Sequence, residues 1–538
     1  MPNPLSFITS RRTLQSAQAD SRQRENHAGG FTFVVDPDTK LRRFLTIGTE
    51  SGTYYAGEHE LTKENAAVVL DAARTRATDL VSMVVEISVA GRAPKQNPAL
   101  FALAAAAKLG DEDGRRAAHA AVPLVCRTGT HLFLFAGYLE QFGGWGRGTR
   151  RAIGNWYADP ERSVTDIAYQ AVKYRRREGW VHRDLLRLSH PRTDEPARRQ
   201  LFDWISGRTA DLGGLPLVSA FERAQAATSA AEIRELVEGN RALAWEMIPD
   251  RFLNEPSVWE ALLQNGLPQG ALMRQLPRLT RLGLLEPMGQ WAGPVSAQLA
   301  DPKRLRKAHM HPINVLVAQR TYASGRSARG EGTWSPSRPI VDALDAAFYA
   351  AFGVVEPTGK RTMLAMDVSG SMTAPVGGMP VSCREASAAL ALVTAATESR
   401  YEIVGFTARG GMWSGNDTEL TPLAIGPRQR LDDALRTVGD LPFGRTDCAL
   451  PMIQAEKTGL EIDTFVVYTD NETWAGSIHP HQALASYRRA TGIPARLVVV
   501  GMAATEFSIA DPSDAGMLDI AGFDGAVPSM IGDFSRGL

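Results

Sequence analysis

The sequence predicts a two-part protein, an all-α repeat domain followed by a doubly wound α/β domain. Three observations carry this. Residues 41 to 320 read as short Ala-, Leu- and Arg-rich helices divided by Gly, Pro and Asn. After residue 361 the texture changes to alternating apolar strand runs and amphipathic helices. The first of those runs, residues 362–366, ends in Asp367-Val-Ser369-Gly-Ser371. At 538 residues the chain is too long for one core, so more than one domain is expected.

Residues 1–40 are polar and lack apolar periodicity, which predicts an N-terminal arm. The helical domain is assigned to residues 41–355. Asn97-Pro98 opens one helix as cap and first position. Val164, Ile167, Ala168, Ala171 and Val172 keep a 3.6-residue period, and Val258, Leu262 and Leu263 begin another such face. No alternating strand pattern competes in this part. Many short helices in series predict stacked helical hairpins of the HEAT type, although no clean repeating consensus is visible. The Gly/Ser/Arg text of residues 324–332 predicts a mobile loop. A helix is expected over residues 339–352. The α/β domain is assigned to 361–538, with strands at 362–366, 401–406, 464–468 and 497–502 and helices at 430–438 and 480–490.

Composition excludes several classes. Hydrophobic residues make up 44% and charged residues 22%, as in soluble globular proteins. No run approaches the roughly 18 apolar residues of a membrane span, and the first residues lack the apolar stretch of a secretory signal. Three scattered cysteines, Cys126, Cys383 and Cys448, predict neither a disulfide framework nor a cysteine zinc cluster, and fit a reducing, cytoplasmic setting. Net charge is zero but unevenly spread. From residue 361 onward there are 13 Lys/Arg against 21 Asp/Glu, leaving 46 against 38 before it. A basic first part and an acidic second part suggest a polyanion partner for the former and mutual attraction between the two.

Two constellations carry chemistry. In the α/β domain, Asp367, Ser369 and Ser371 follow one strand, Asp470 follows the run 464–468, and Thr446 lies in a Gly/Arg loop between them. Two carboxylates and three hydroxyls are hard oxygen donors of the kind Mg²⁺ or Mn²⁺ prefers. Asp-x-Ser-x-Ser by itself is also an ordinary turn. Its recurrence with Thr446 and Asp470 at strand C-terminal edges, where open α/β sheets place their ligands, favours a site. The combination resembles the metal-ion-dependent adhesion site of von Willebrand A domains, whose metal keeps one position open for a ligand oxygen.

The second constellation is basic. Arg147, Arg150, Arg151, Lys173, Arg176, Arg177, Arg183 and Arg187 fall within a short stretch, interleaved with Trp145, Trp156, Tyr157, Tyr169, Tyr174 and Trp180 and joined by His182 and His190. Lys173 and Arg177 are four apart, which on a helix is one face, and Arg183 and Arg187 repeat the spacing. Guanidinium groups grip phosphates in a bidentate manner and aromatics stack on bases. The bland alternative is a solvated face balanced by Glu178 and Asp184. Gly143-Gly-Trp-Gly-Arg-Gly148 could cradle phosphate but lacks a P-loop ending, as does Pro357-Thr-Gly-Lys360. His309 and His311 lack a metal partner and read as packing or RNA-facing residues. No catalytic triad or zincin motif is present, so no enzyme is expected. A nuclease metal at Asp367 and Asp470 would lack a general base.

Several longer strings resemble the Ro autoantigen family. They are Arg43-Phe-Leu-Thr-Ile-Gly-Thr-Glu-Ser-Gly-Thr-Tyr-Tyr55, Lys173-Tyr174, Gly179-Trp180, His182-Arg-Asp-Leu-Leu-Arg-Leu-Ser-His190, Ala343-Leu-Asp-Ala-Ala-Phe-Tyr349, Glu356-Pro-Thr-Gly-Lys-Arg361, Thr446-Asp-Cys-Ala-Leu-Pro-Met452 and Thr469-Asp-Asn-Glu-Thr473. They span essentially the whole chain from residue 40 and suggest a bacterial member. The resemblance implies a ring of HEAT-like repeats, the TROVE module, joined to a von Willebrand A domain. It implies binding of small noncoding Y RNA on an outer basic surface, and of single-stranded 3′ ends of misfolded or unprocessed RNAs in a central hole. A 3′→5′ exoribonuclease is an implied partner, no membrane is involved, and a monomer is expected. The family's RNA-binding positions carry over most directly onto Lys173, Arg177, His182, Arg183, Arg187 and His190. Its metal ligands carry over onto Asp367, Ser369, Ser371, Thr446 and Asp470, for a divalent ion: Mg²⁺, with Mn²⁺ or Ca²⁺ as alternatives. Arg445 stands where the family pattern has Gly. The reading from a different class is a metal-dependent protein-binding module whose RNA binding is incidental.

Overall fold

The computed structural model describes residues 12–48, 58–93, 95–208, 211–327, 331–352, 356–376, 381–408, 418–427, 429–439, 446–503, 505–523 and 527–537. Arg445 and residues 49–55 of the first family-like string lie outside these.

The helical part is built in two layers. Ala77–Val89 packs on Glu112–Val125, which packs on Arg147–Ala158, which packs on His182–Ser189. Asn97–Leu109 packs on Gly129–Gln141 in the other layer. Asn97–Leu109 is apolar almost all round, and Ala99 through Ala106, save Phe101, are at most 1% exposed. Its small side chains let neighbouring helices approach from several sides, and only a fully enclosed helix has no polar face. The named apolar faces lie on helices Val164–Lys173 and Pro256–Asn265, and the helix expected over 339–352 occurs at Arg338–Ala350, within two residues of its expected bounds. The row of helices closes on itself. His311, at the N-cap of Pro312–Ala323, places Nε2 3.0 Å from the backbone carbonyl of Arg92. His311 Nδ1 accepts from the Ile313 N–H, so the ring is a neutral packing group and burial pushes its pKa down to about 3. Of the two readings of His311, packing is the one found.

One strand motif was not expected here. Arg176–Arg177 (β3) and Trp180–Val181 (β4) form a small antiparallel hairpin, with Glu178 and Gly179 at positive φ in its turn. Two-residue strands are too short for period-two patterning to show. The helix before it ends at Lys173, with Tyr174 as C-cap. Lys173 and Arg177 therefore do not share a helical face. At residues 324–332, the Ser327 N–H donates to the Gly332 carbonyl at 2.8 Å; residues 328–330 lie outside the described segments.

The C-terminal domain has a six-stranded sheet in the order β11-β9-β8-β5-β6-β7. These are Met517–Ala521 (β11), Arg496–Gly501 (β9), Thr464–Thr469 (β8), Thr362–Asp367 (β5), Tyr401–Ala408 (β6) and Thr418–Pro422 (β7). All neighbours are parallel except β6 and β7. Counted within the domain this is the 3-2-1-4-5-6 order of dinucleotide-binding folds, and its direction reverses between β5 and β8. Strands β5 and β8 are buried at every residue, which is why they read as continuous apolar runs.

From residue 12 onward, the polar text that predicted an arm packs against this domain. Gln23–Glu25 (β1) pairs with Phe31–Val34 (β2), and β2 pairs with Phe507–Ser508 (β10). The helical domain then begins at Pro37, capped by Asp36, whose carboxylate accepts from the Asp38 and Thr39 N–H groups. The two parts are joined by ion pairs, mostly with the cation on the helical side: Lys40 to Glu506 at 2.7 Å, Arg43 to Asp519 at 2.6 Å, and Arg320 to Glu385. Arg430 to Asp342 runs the other way. Among the described residues no helix is long and apolar enough to cross a membrane.

Candidate metal centre and basic surface

Four of the five expected metal-site side chains, Asp367, Ser369, Ser371 and Asp470, meet at the reversal point of the sheet. Asp367 ends β5, Ser369 and Ser371 sit in the following turn, and Asp470 directly follows β8. Thr446 enters from the segment before Leu450–Thr458. Each is at most 2% exposed. Asp367 accepts from the Ser369 N–H at 2.9 Å and from the Thr469 hydroxyl at 2.8 Å. The Ser369 and Ser371 hydroxyls lie 2.9 Å apart. Asp470 accepts from the Glu472 N–H at 3.1 Å through one oxygen. Its other oxygen and the Thr446 hydroxyl are buried without a protein partner.

The electrostatics point the same way. Burial raises the pKa of Asp367. Burial, with the Asp367 and Glu472 charges, raises that of Asp470 well above the carboxylate range. Two carboxylates forced together away from water need protons or a cation. Orphaned oxygens in a buried, all-oxygen donor set fit a hard divalent ion. Among the described residues no group of three or more His, Cys, Asp or Glu could hold a metal, so a metal here would need the hydroxyls as well.

Sequence reading missed what supports this site. Thr469 bonds Asp367, and the Arg384 guanidinium, 3% exposed, donates to the backbone carbonyls of Val368 and Ser369. Gln15 reaches across from the N-terminal segment. It donates to Asp447 Oδ1 at 2.7 Å and to the Ile478 carbonyl at 2.9 Å, and it accepts from the Thr473 hydroxyl. His27 pairs with Glu472 at 2.8 Å. Thr469 was within reach of a sequence argument, because it immediately precedes Asp470. Nothing local marks Gln15.

The basic candidates divide into two groups. Arg147, Arg150 and Arg151 are exposed on Arg147–Ala158. Arg183 and Arg187 are exposed on His182–Ser189, which packs against that helix, and Arg176 is exposed on the hairpin that precedes it. Among the described residues none of these six has a carboxylate partner. Arg177 is exposed but pairs with Glu178 at 3.3 Å. His190 is exposed at the left-handed C-cap of His182–Ser189.

Two candidates lie elsewhere. His182 is 4% exposed, with Nδ1 2.6 Å from the Tyr157 hydroxyl and its ring against Phe133. A side chain at Gly129 would meet its Nε2 at 2.9 Å, so glycine makes room for the ring. Burial lowers the His182 pKa to about 4 and keeps it neutral. It is a core residue in this structure, not a cation on the surface. Lys173 bonds the Tyr169 hydroxyl at 2.9 Å and pairs with Glu246 at 3.4 Å, its side chain 7% exposed. Burial opposes its charge, but Tyr169 and Glu246 outweigh this and its pKa is raised. Trp145 and Trp180 stack on each other at 5.5 Å, joining the glycine-rich loop to the hairpin.

Comparison with known proteins follows the same division of the chain. The domain family described as TROVE domain matches residues 24–212 and 223–321, and that described as Ro60 vWA domain matches residues 361–535. The chain is 38% identical to RNA-binding protein RO60 of Deinococcus radiodurans over 544 residues, covering 100% of both chains. It is 35% identical to RNA-binding protein RO60 of Caenorhabditis elegans over 603 residues, covering 97% of this chain and 91% of that one. The crystal structure of Deinococcus radiodurans RO (RSR) protein matches with a TM-score of 0.69 at 38% identity, covering 93% of this chain and 100% of that chain.

Proposed function

We propose, from the premise that this chain belongs to the Ro60 family of TROVE and von Willebrand A proteins, that it is an RNA-binding scaffold without catalysis of its own. Its RNAs are a small noncoding Y RNA and the single-stranded 3′ ends of misfolded or unprocessed transcripts, handed on for processing or decay. The observation that carries this reading is the set of exposed arginines on adjoining elements, Arg147, Arg150, Arg151, Arg176, Arg183 and Arg187, none with a carboxylate partner among the described residues. Unpaired guanidinium groups held on rigid helices neutralise phosphates without reading sequence, which suits a protein that must accept many RNAs. Trp145 and Trp180 each use one face on the other.

The A-domain metal belongs to the same proposal. Asp367, Ser369, Ser371, Thr446 and Asp470 would hold Mg²⁺, with Mn²⁺ or Ca²⁺ as alternatives. When bound, the ion would neutralise the buried carboxylate pair and tie three chain segments together. The second reading, a metal-dependent protein-binding module, is favoured by the unpartnered oxygens of Thr446 and Asp470, which suit a metal able to take one outside ligand. Handing RNA to a 3′→5′ exoribonuclease, a cytoplasmic location and a monomeric state complete the proposal.

The test is to crosslink and sequence the RNA bound to the protein in its own cells, and to measure binding of those RNAs against salt. Recovery of structured small RNAs with steeply salt-dependent binding is expected. A protein that purifies free of nucleic acid and ignores RNA in dilute buffer would end the RNA reading. Cleavage of labelled RNA by the purified protein with Mg²⁺ would end the scaffold reading.

A further inference from the structure

A groove of about 540 Å³ lies beside the glycine-rich loop, away from the hairpin. Its walls are the C-terminal end of Asn97–Leu109, the helix Glu112–Val125 and the first turns of Arg147–Ala158. Lys108, Arg115, Arg116, Arg147 and Arg151 line it, and Glu112 is the one carboxylate among its lining residues. Glu112 pairs with Arg116 at 2.9 Å, so one cation is offset and four remain.

Two of the four cations are fixed by backbone carbonyls. The Lys108 ammonium donates to the Gly144 carbonyl at 2.6 Å and the Arg115 guanidinium to the Gly110 carbonyl at 2.5 Å. Each keeps further N–H donors for another partner. Arg147 and Arg151 are one helical turn apart and have no carboxylate partner among the described residues. The floor is fitted closely. A side chain at Gly148 would meet the His119 ring at 2.5 Å, and His119 Nε2 lies 3.2 Å from the Thr149 hydroxyl. The helix Arg147–Ala158 opens at Gly146, which supplies no side-chain cap, so its first N–H groups add positive potential at the same mouth.

A rigid concave surface with four uncompensated cations has one common ligand chemistry, the phosphate group. We propose that this groove is a phosphate-binding slot through which RNA is gripped, and that Lys108 and Arg115 belong to the binding machinery along with Arg147 and Arg151. The inference rests on the RNA reading above and extends it to helix Glu112–Val125, which no family-like string touches. Phosphate can come from the RNA backbone or from a 5′-terminal triphosphate, and the same chemistry serves both.

The test uses the full chain and two variants, Arg147→Gln/Arg151→Gln and Arg115→Gln, with thermal melts to confirm folding. Binding is measured for one stem-loop RNA carrying either a 5′-triphosphate or a 5′-hydroxyl, and for inorganic tripolyphosphate. The double variant is expected to bind RNA at least about tenfold more weakly, with the slope of log affinity against log salt reduced by roughly 1.5. An equal loss on both RNAs assigns the backbone, and a larger loss on the triphosphate RNA assigns the terminus. Unchanged affinity and slope in both variants, while the wild type binds RNA, overturn the groove and leave the RNA reading standing. If the wild type ignores RNA but binds tripolyphosphate, and the variants lose that binding, the RNA reading falls and the phosphate slot remains. If the wild type binds neither, both fall.

Discussion

Arg43 Nη2 lies 2.6 Å from Asp519 Oδ1, and the Arg43 side chain is fully buried. Its Nη1 donates to the carbonyls of Thr505 at 2.6 Å and Phe507 at 2.7 Å, so one guanidinium on the first helix of the repeat domain holds three points of the A domain. The other Asp519 oxygen accepts from the Ser508 hydroxyl. Removing one member of such a buried pair leaves the other without compensation. Arg43→Met should therefore cost about 3–5 kcal/mol of stability. Urea denaturation of the full chain checks this. A cost below 1 kcal/mol would mean that the two domains are held by other contacts.

The metal proposal makes a two-sided prediction. Mg²⁺ at about a hundred times its dissociation constant should stabilise the wild type by roughly 2.7 kcal/mol over the chelated protein. Asp470→Asn removes one of two crowded buried charges. It should raise the stability of the metal-free protein while abolishing the Mg²⁺ increment. Melting curves with EDTA and with Mg²⁺ decide, and an increment that survives in the variant would remove Asp470 from the donor set.

Exposed and buried basic residues should behave differently. Arg183→Ala and Arg187→Ala should each weaken RNA binding across sequences and lower the salt slope by roughly 0.7–0.9, with melting temperature unchanged. Lys173→Ala should lower the melting temperature, because Glu246 loses its partner. Filter binding at several salt concentrations, paired with melts, separates the two. An arginine variant that loses stability but keeps its salt slope would have been misplaced on the surface.

His182 makes folding sensitive to acid. Its pKa is about 4 in the folded chain, against an ordinary 6.5. The unfolded chain therefore binds more protons between these values, and stability falls as pH drops from about 6.5 toward 4. At pH 5 the loss from this residue is about 2 kcal/mol. Denaturation at pH 7.5 and pH 5 for wild type and His182→Gln measures it. The variant should be less stable at pH 7.5 and show a smaller drop between the two pH values. An equal drop would show that other groups set the acid response.

How much was legible follows from where each signal resides. The A-domain candidates were readable because Asp367, Ser369 and Ser371 fall within five residues of one another and Asp470 directly follows its strand. The parallel strands β5 and β8 were readable because burial on both faces leaves an unbroken apolar run. Residues 12–34 were not, because Gln15 and Asn26 are polar by type and buried against partners more than 400 residues away. The hairpin at Arg176–Arg177 escaped for want of length.

By itself the sequence determined the division into helical repeats and a doubly wound sheet, the placing of Asp367 and Asp470 at strand ends, and the excess of positive charge before residue 361. All of these are local patterns or sums. Only the tertiary structure decided which basic residues face solvent, that His182 and Lys173 are enclosed, that Arg115 of one helix faces Arg147 of another, and that Arg43 locks two domains. Charge type is written in one residue, but exposure and pairing depend on what distant segments bring to it.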